Sequence, residues 1–107
     1  MSSAIEIDEE IIEALDAAWD DGGFLETLRG GAYDQAKASA LLAALQALNV
    51  LDGSIAVNGR LVRLVWMMPI FIEWQAQALE SRGQDVTQVR SIGVAVFEQL
   101  SRVLGVP

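Results

Sequence analysis

The sequence predicts a small helix-dominated α+β domain in the order α-α-α-β-β-α-α, and three observations lead there. Apolar residues recur at helical spacing through most of the chain, Asn58-Gly59 stands between two runs rich in β-branched residues, and Pro69 divides the most apolar stretch, Leu61 to Trp74. Asn-Gly suits the two positive-φ positions of a tight hairpin turn, whereas proline suits the first turn of a helix, where its missing N–H has no partner to lose. The 107 residues, 52% of them hydrophobic, suffice for a single domain spanning 1–107 with one core, residues 1–6 forming a frayed lead-in.

The first helix is expected to be capped by Asp8 and to run to about Asp20, with Ile7 and Ile12 spaced as a hydrophobic staple. Ile11, Ile12, Leu15, Ala18 and Trp19 mark its apolar face, and Glu9, Glu10, Glu13, Asp16 and Asp20 its polar one. Gly22-Gly23 ends it. Phe24 to Arg29, bracketed by glycine pairs, predicts one or two short turns closing over the core; the glycines match no phosphate-loop spacing. Asp34 is the expected cap of a helix from Gln35 to about Leu48, in which Leu41, Leu45 and Leu48 form one stripe and Ala36, Ala40, Ala43 and Ala47 another. Both stripes are expected to be covered, the alanines by a neighbouring element or by a second subunit.

Ser54–Val57 and Arg60–Val65 are expected to pair as a hairpin across Asn58-Gly59. A helix from Pro69 to Arg82 follows, with Ile70, Phe71, Trp74, Ala78 and Leu79 inward. Trp74 is thus expected in the packed core. Asp85 and Gln88 supply a capping pair for the last helix, to about Leu104, whose stripe is Val89, Ile92, Val96, Phe97, Leu100, Val103 and Leu104.

Composition removes many functions. Without cysteine or histidine the chain has no thiol nucleophile, no imidazole base and no ordinary zinc site. Asp20, Asp21 and Glu26 are hard-oxygen groups, but calcium-loop spacing is absent, so no metal and no cofactor are predicted, and no catalytic residue either. The amino terminus lacks the pattern of a secretory signal and no apolar run is long enough to span a bilayer, which predicts a cytoplasmic protein.

The net charge of −8 is concentrated in residues 1–34, where ten acids face Arg29 alone. Such a surface repels phosphate backbones and steers basic proteins. The expected function is therefore a non-catalytic protein-binding module, of the inhibitor, immunity, antitoxin, chaperone or regulatory kind, presenting Glu9, Glu13, Asp16, Asp20 and Asp21 to a basic partner. Tyr33, Trp66, Met67, Met68 and Trp74 are a candidate pocket or interface, because Met and Trp side chains make adaptable apolar surfaces. The apolar breadth of the 35–48 helix and the Trp-Met-Met junction predict a homodimer. Two alternatives compete: a winged-helix regulator, whose reading helix would carry only a lone lysine, and a small-ligand binder or enzyme with a Trp/Met-lined pocket.

Overall fold

The computed structural model describes residues 9–48 and 59–104, and every regular element among them is helical: α1 (Glu9–Ala17), α2 (Phe24–Arg29), α3 (Gln35–Gln46), α4 (Gly59–Val65), α5 (Met68–Ser81) and α6 (Thr87–Leu104). The α+β expectation is thereby corrected, since no strand occurs among the described residues. Arg60–Val65, expected as the second hairpin strand, forms most of α4; Ser54–Val57 and Asn58 lie outside the described residues, as do Ile7 and Asp8. The physical reason is a shared pattern. Leu61 and Val65 are buried, at 3% and 0% exposure, and four residues apart, which satisfies one helix face as well as it satisfies the alternation of a strand. Over so short a run, burial against α1 decides what β-propensity cannot.

α1 turns Ile12, Leu15 and Ala18 inward and ends three residues earlier than expected, where the backbone N–H groups of Trp19 and Asp20 bond the carbonyls of Asp16 and Ala17. At Gly23 the chain passes so close to the end of α1 that a Cβ would run into the carbonyl oxygens of Ala17 and Ala18. This close passage drops Phe24, Leu25 and Leu28 of α2 directly into the core. α2 and α5 end alike. In each, a glycine with positive φ, Gly31 or Gly83, bonds back to the helix, and the next residue's N–H reaches one carbonyl further, to Thr27 or Leu79, so that two final carbonyls are satisfied.

Asp34 caps α3 as expected, its carboxylate accepting from the Lys37 N–H at 3.1 Å. Ala38, Leu41, Leu45 and Leu48 enter the core. The alanine stripe does not: Ala36, Ala40, Ala43 and Ala47 are all exposed, correcting the expectation that a second element of this chain covers them. The far end of α3 is held by Arg102 of α6, which donates to the carbonyls of Leu48 at 3.0 Å, Leu45 at 3.1 Å and Gln46 at 3.4 Å. A guanidinium there satisfies orphan carbonyls and sits at the negative end of the helix dipole.

α4 and α5 are joined by the turn Trp66-Met67, with Val65 and Met68 fully buried on either side. The indole of Trp19 lies over this junction. Its N–H donates to the Leu64 carbonyl at 2.8 Å, and its ring meets Phe71 edge-on with centroids 5.1 Å apart, while the Arg29 guanidinium lies 5.6 Å from the other ring's centroid. α5 buries Met68, Phe71, Ile72, Ala76 and Leu79. Ile70 and Trp74, expected inside, are exposed: with Phe71 and Ile72 both inward, the buried arc is centred toward Met68 and Leu79, which swings positions 70 and 74 to the outer side. α6 runs back along α5, and Gly93 permits this, since a Cβ there would lie 3.2 Å from Cγ2 of Ile72. Val89, Ile92, Val96, Leu100 and Val103 are buried as expected, but Phe97 faces out. The Asp85 carboxylate accepts from the N–H and hydroxyl of Thr87 at 2.9 and 2.7 Å, fixing the entry to α6 through Thr87. No polar or charged residue is buried among the described residues.

Two aromatic truncations should therefore differ sharply in chemical denaturation. Phe71→Ala is expected to cost about 3–5 kcal/mol, as for a buried aromatic, and Trp74→Ala no more than about 0.5 kcal/mol, as for an exposed site. Gly23→Ala should lose about 1–3 kcal/mol through overpacking against the α1 carbonyls, although alanine is the better helix former nearby.

Candidate functional site

The amphipathic period of α1 places its acids outward because Ile12 and Leu15 must face in. Of the five acids predicted to meet a partner, two are already engaged: Arg60 of α4 bonds Glu9 at 2.6 Å and approaches Asp16 at 3.9 Å. Both pairs are exposed, so their stabilising effect is small. Glu13, Asp20 and Asp21 project into solvent. The five share one side of α1 and its following turn without forming a tight cluster, and among the described residues no three acids gather as a metal site would require.

Asp20 and Asp21 stand at the rim of an open groove of about 420 Å³ between α1 and α3. Its floor is apolar, formed by Ala14, Ala17, Ala40, Leu41 and Phe24, and Lys37 lies along it. Lys37 donates to the Thr27 hydroxyl at 3.2 Å. The groove thus sets two carboxylates beside apolar side chains, with the Lys37 ammonium also in its lining. The sequence signal for this groove was present in the small residues: Ala14 and Ala17 lie three apart on α1, and Ala40 comes from the alanine stripe of α3.

The candidate pocket of Tyr33, Trp66, Met67, Met68 and Trp74 does not assemble. Met68 is a core residue, Met67 is half-buried, and Tyr33 packs edge-on against Phe24 at 5.8 Å while its hydroxyl donates to Gln35 at 2.8 Å. Burial raises the Tyr33 phenol above its usual pKa. The tryptophans instead belong to an exposed apolar surface: Trp66, Ile70 and Trp74 are 56%, 46% and 53% exposed, and Val94 and Phe97 of α6 are each 60% exposed. Phe97 had been assigned inward by its spacing. Beside it runs a second groove, about 290 Å³, lined by Pro69, Ile72, Glu73, Arg90, Gly93, Val94 and Phe97.

Arg90 crosses that groove's edge and ties α6 to α5. It bonds Glu73 through Nε and Nη2 at 3.3 and 3.1 Å, and Glu80 through Nη1 and Nη2 at 3.1 and 3.3 Å. The Arg90 hydrogen bonds hold the Glu73 carboxyl below the usual glutamate range, and Glu73 and Glu80 raise Arg90 further above its already high value. Because Glu73 is depressed in the folded protein, its contribution is present above the unfolded glutamate pKa and is lost as pH falls through the lower folded value. NMR titration of the Glu73 carboxyl carbon should accordingly give a midpoint below the ordinary glutamate value, returning upward in Arg90→Gln.

No protein-family model, curated protein or solved structure matches this chain.

Proposed function

We propose that the chain is a non-catalytic protein-binding module that offers the acidic side of α1 to a basic partner. The groove between α1 and α3 carries this reading, because it sets the Asp20 and Asp21 carboxylates beside an apolar floor suited to a partner's arginine or lysine. Glu13 adds to the long-range field, while Glu9 and Asp16 act partly through their bridge to Arg60. The module is read as a cytoplasmic one that self-associates. Among the described residues no helix is long and apolar enough to cross a membrane.

The two alternatives have less support. A winged-helix regulator would need a basic face and a wing, yet Arg60 and Arg90 are held by acids and residues 60–65 are helical. A Trp/Met-lined ligand site would need the residues of the candidate pocket to converge, and they are dispersed between core and solvent.

Pull-down with the parent chain and with the Asp20→Asn/Asp21→Asn variant, followed by association kinetics on the recovered partner, tests the proposal. The variant should slow association about tenfold at low ionic strength, consistent with electrostatic steering. The difference should fade as the screening length contracts from about 10 Å at 0.1 M salt toward about 3 Å at 1 M. Equal rates for parent and variant, insensitive to salt, would refute it.

A further inference from the structure

We infer that the groove between α1 and α3 docks an amphipathic helix of the partner, its apolar face on the groove floor and its lysines or arginines along the flank that overlies α1; this rests on the reading above that a basic partner meets the acidic side of α1. The groove, about 420 Å³ in volume, is left open because the side chains at its edge are small: Ala14 and Ala17 from α1 and Ala40 from α3, with the buried Leu41 and Phe24 completing the floor. All three alanines are exposed. Bulky apolar side chains of an incoming helix, recurring every three or four residues along one face, meet such a floor.

Backbone chemistry selects a helix over an extended segment. An extended chain needs partners for its own amides and carbonyls, and along this groove the carbonyls of Ala14, Ala17, Ala18 and Asp20 are already engaged by the N–H groups of Ala18, Asp20, Leu25 and Gly23. A helix arrives with its backbone bonds made. α1 has nine residues, a length of about 14 Å, so about two and a half turns of the partner span it.

Charge fixes which flank is basic. Glu13 stands four positions before Ala17, and Asp20 and Asp21 follow it by three and four, so these carboxylates border the α1 side of the groove. All three are exposed, and none forms an ion pair among the described residues. The last turn of α1 carries no basic residue, so the negative end of its dipole adds to their field. On the α3 side the cation of the lining is Lys37, whose ammonium donates to the Thr27 hydroxyl. The two walls thus differ in sign, and a helix with its cations on the wrong flank meets like charge.

Fluorescence anisotropy with labelled peptides of about 14 residues tests the docking: one with leucines at three- and four-residue spacing and lysines on one flank, the same peptide broken by two central prolines, and the same peptide with glutamate for lysine. The parent chain should bind the first about tenfold more tightly than either of the others. Ala40→Trp, which fills the groove at an exposed site without changing its charge, should abolish the preference for the helical peptide while far-UV circular dichroism stays helical. Lys37→Gln should tighten binding, and Asp20→Asn/Asp21→Asn should weaken it. In NMR spectra the first peptide should shift the amide signals of Ala14, Ala17 and Ala40 and leave the indole signals of exposed Trp66 and Trp74 in place. Equal binding of the lysine peptide with and without prolines, a preference that survives Ala40→Trp, or shifts confined to the two indoles would overturn helix docking; binding that still falls in Asp20→Asn/Asp21→Asn would then leave the acidic-face reading standing. Lysine peptides that bind no better than the glutamate peptide would overturn both.

Discussion

The indole of Trp19 is the contact on which the arrangement of the six helices most depends. It sits just after α1, donates its N–H to the Leu64 carbonyl near the end of α4, and presents its ring to Phe71 on α5. The carbonyl it reaches belongs to the last turn of α4, a group that the helix itself leaves without a partner. A single side chain therefore closes one helix, seats another and fixes the turn between them. Arg29 at the end of α2 adds its guanidinium beside Phe71, so the short helix is drawn to the same place. Arg102 does comparable work at the C-terminal end of α3, where one cation accounts for three backbone carbonyls.

Around these polar contacts the core itself is wholly apolar. Ile12, Leu15, Leu25, Leu28, Leu45, Val65, Met68 and Val96 are nearly or completely buried, and every ion pair is left at the surface. That division governs where function can reside. The ionisable groups among the described residues all keep contact with solvent. The acids gather on α1 and its following turn, and exposed aromatics gather on α5 and α6. Charged and apolar surfaces thus lie on different helices.

Much of the fold was legible in the sequence because four helices announce themselves twice, by period and by punctuation. Asp34 before α3 is a local signal whose capping hydrogen bond appears as expected, and the Val89, Ile92, Val96 stripe of α6 is buried as its spacing requires. The hairpin failed for a physical reason: Leu61 and Val65 satisfy either a helix or a strand, and the deciding contacts come from α1 and from Trp19, far away in the chain. Trp74 failed because the apolar spacing from Ile70 and Phe71 reads as an inward stripe, and of these three the helix turns only Phe71 to the core. Once Phe71 and Ile72 are both inward, the helix has no inward direction left for it. The acids of α1 were found from charge and period alone, but the groove beside Asp20 and Asp21 was not, since alanine and glycine mark a cavity only when two helices are known to face each other.

Indole hydrogen exchange measured by NMR tests the organising role of Trp19 most directly, because the chain has three tryptophans in three different settings. The Trp19 Nε1 proton, bonded to the Leu64 carbonyl, should exchange slowly and together with the backbone amides at the end of α4, while the indoles of exposed Trp66 and Trp74 exchange rapidly. A Trp19 indole proton exchanging as fast as those of Trp66 and Trp74 would contradict the account.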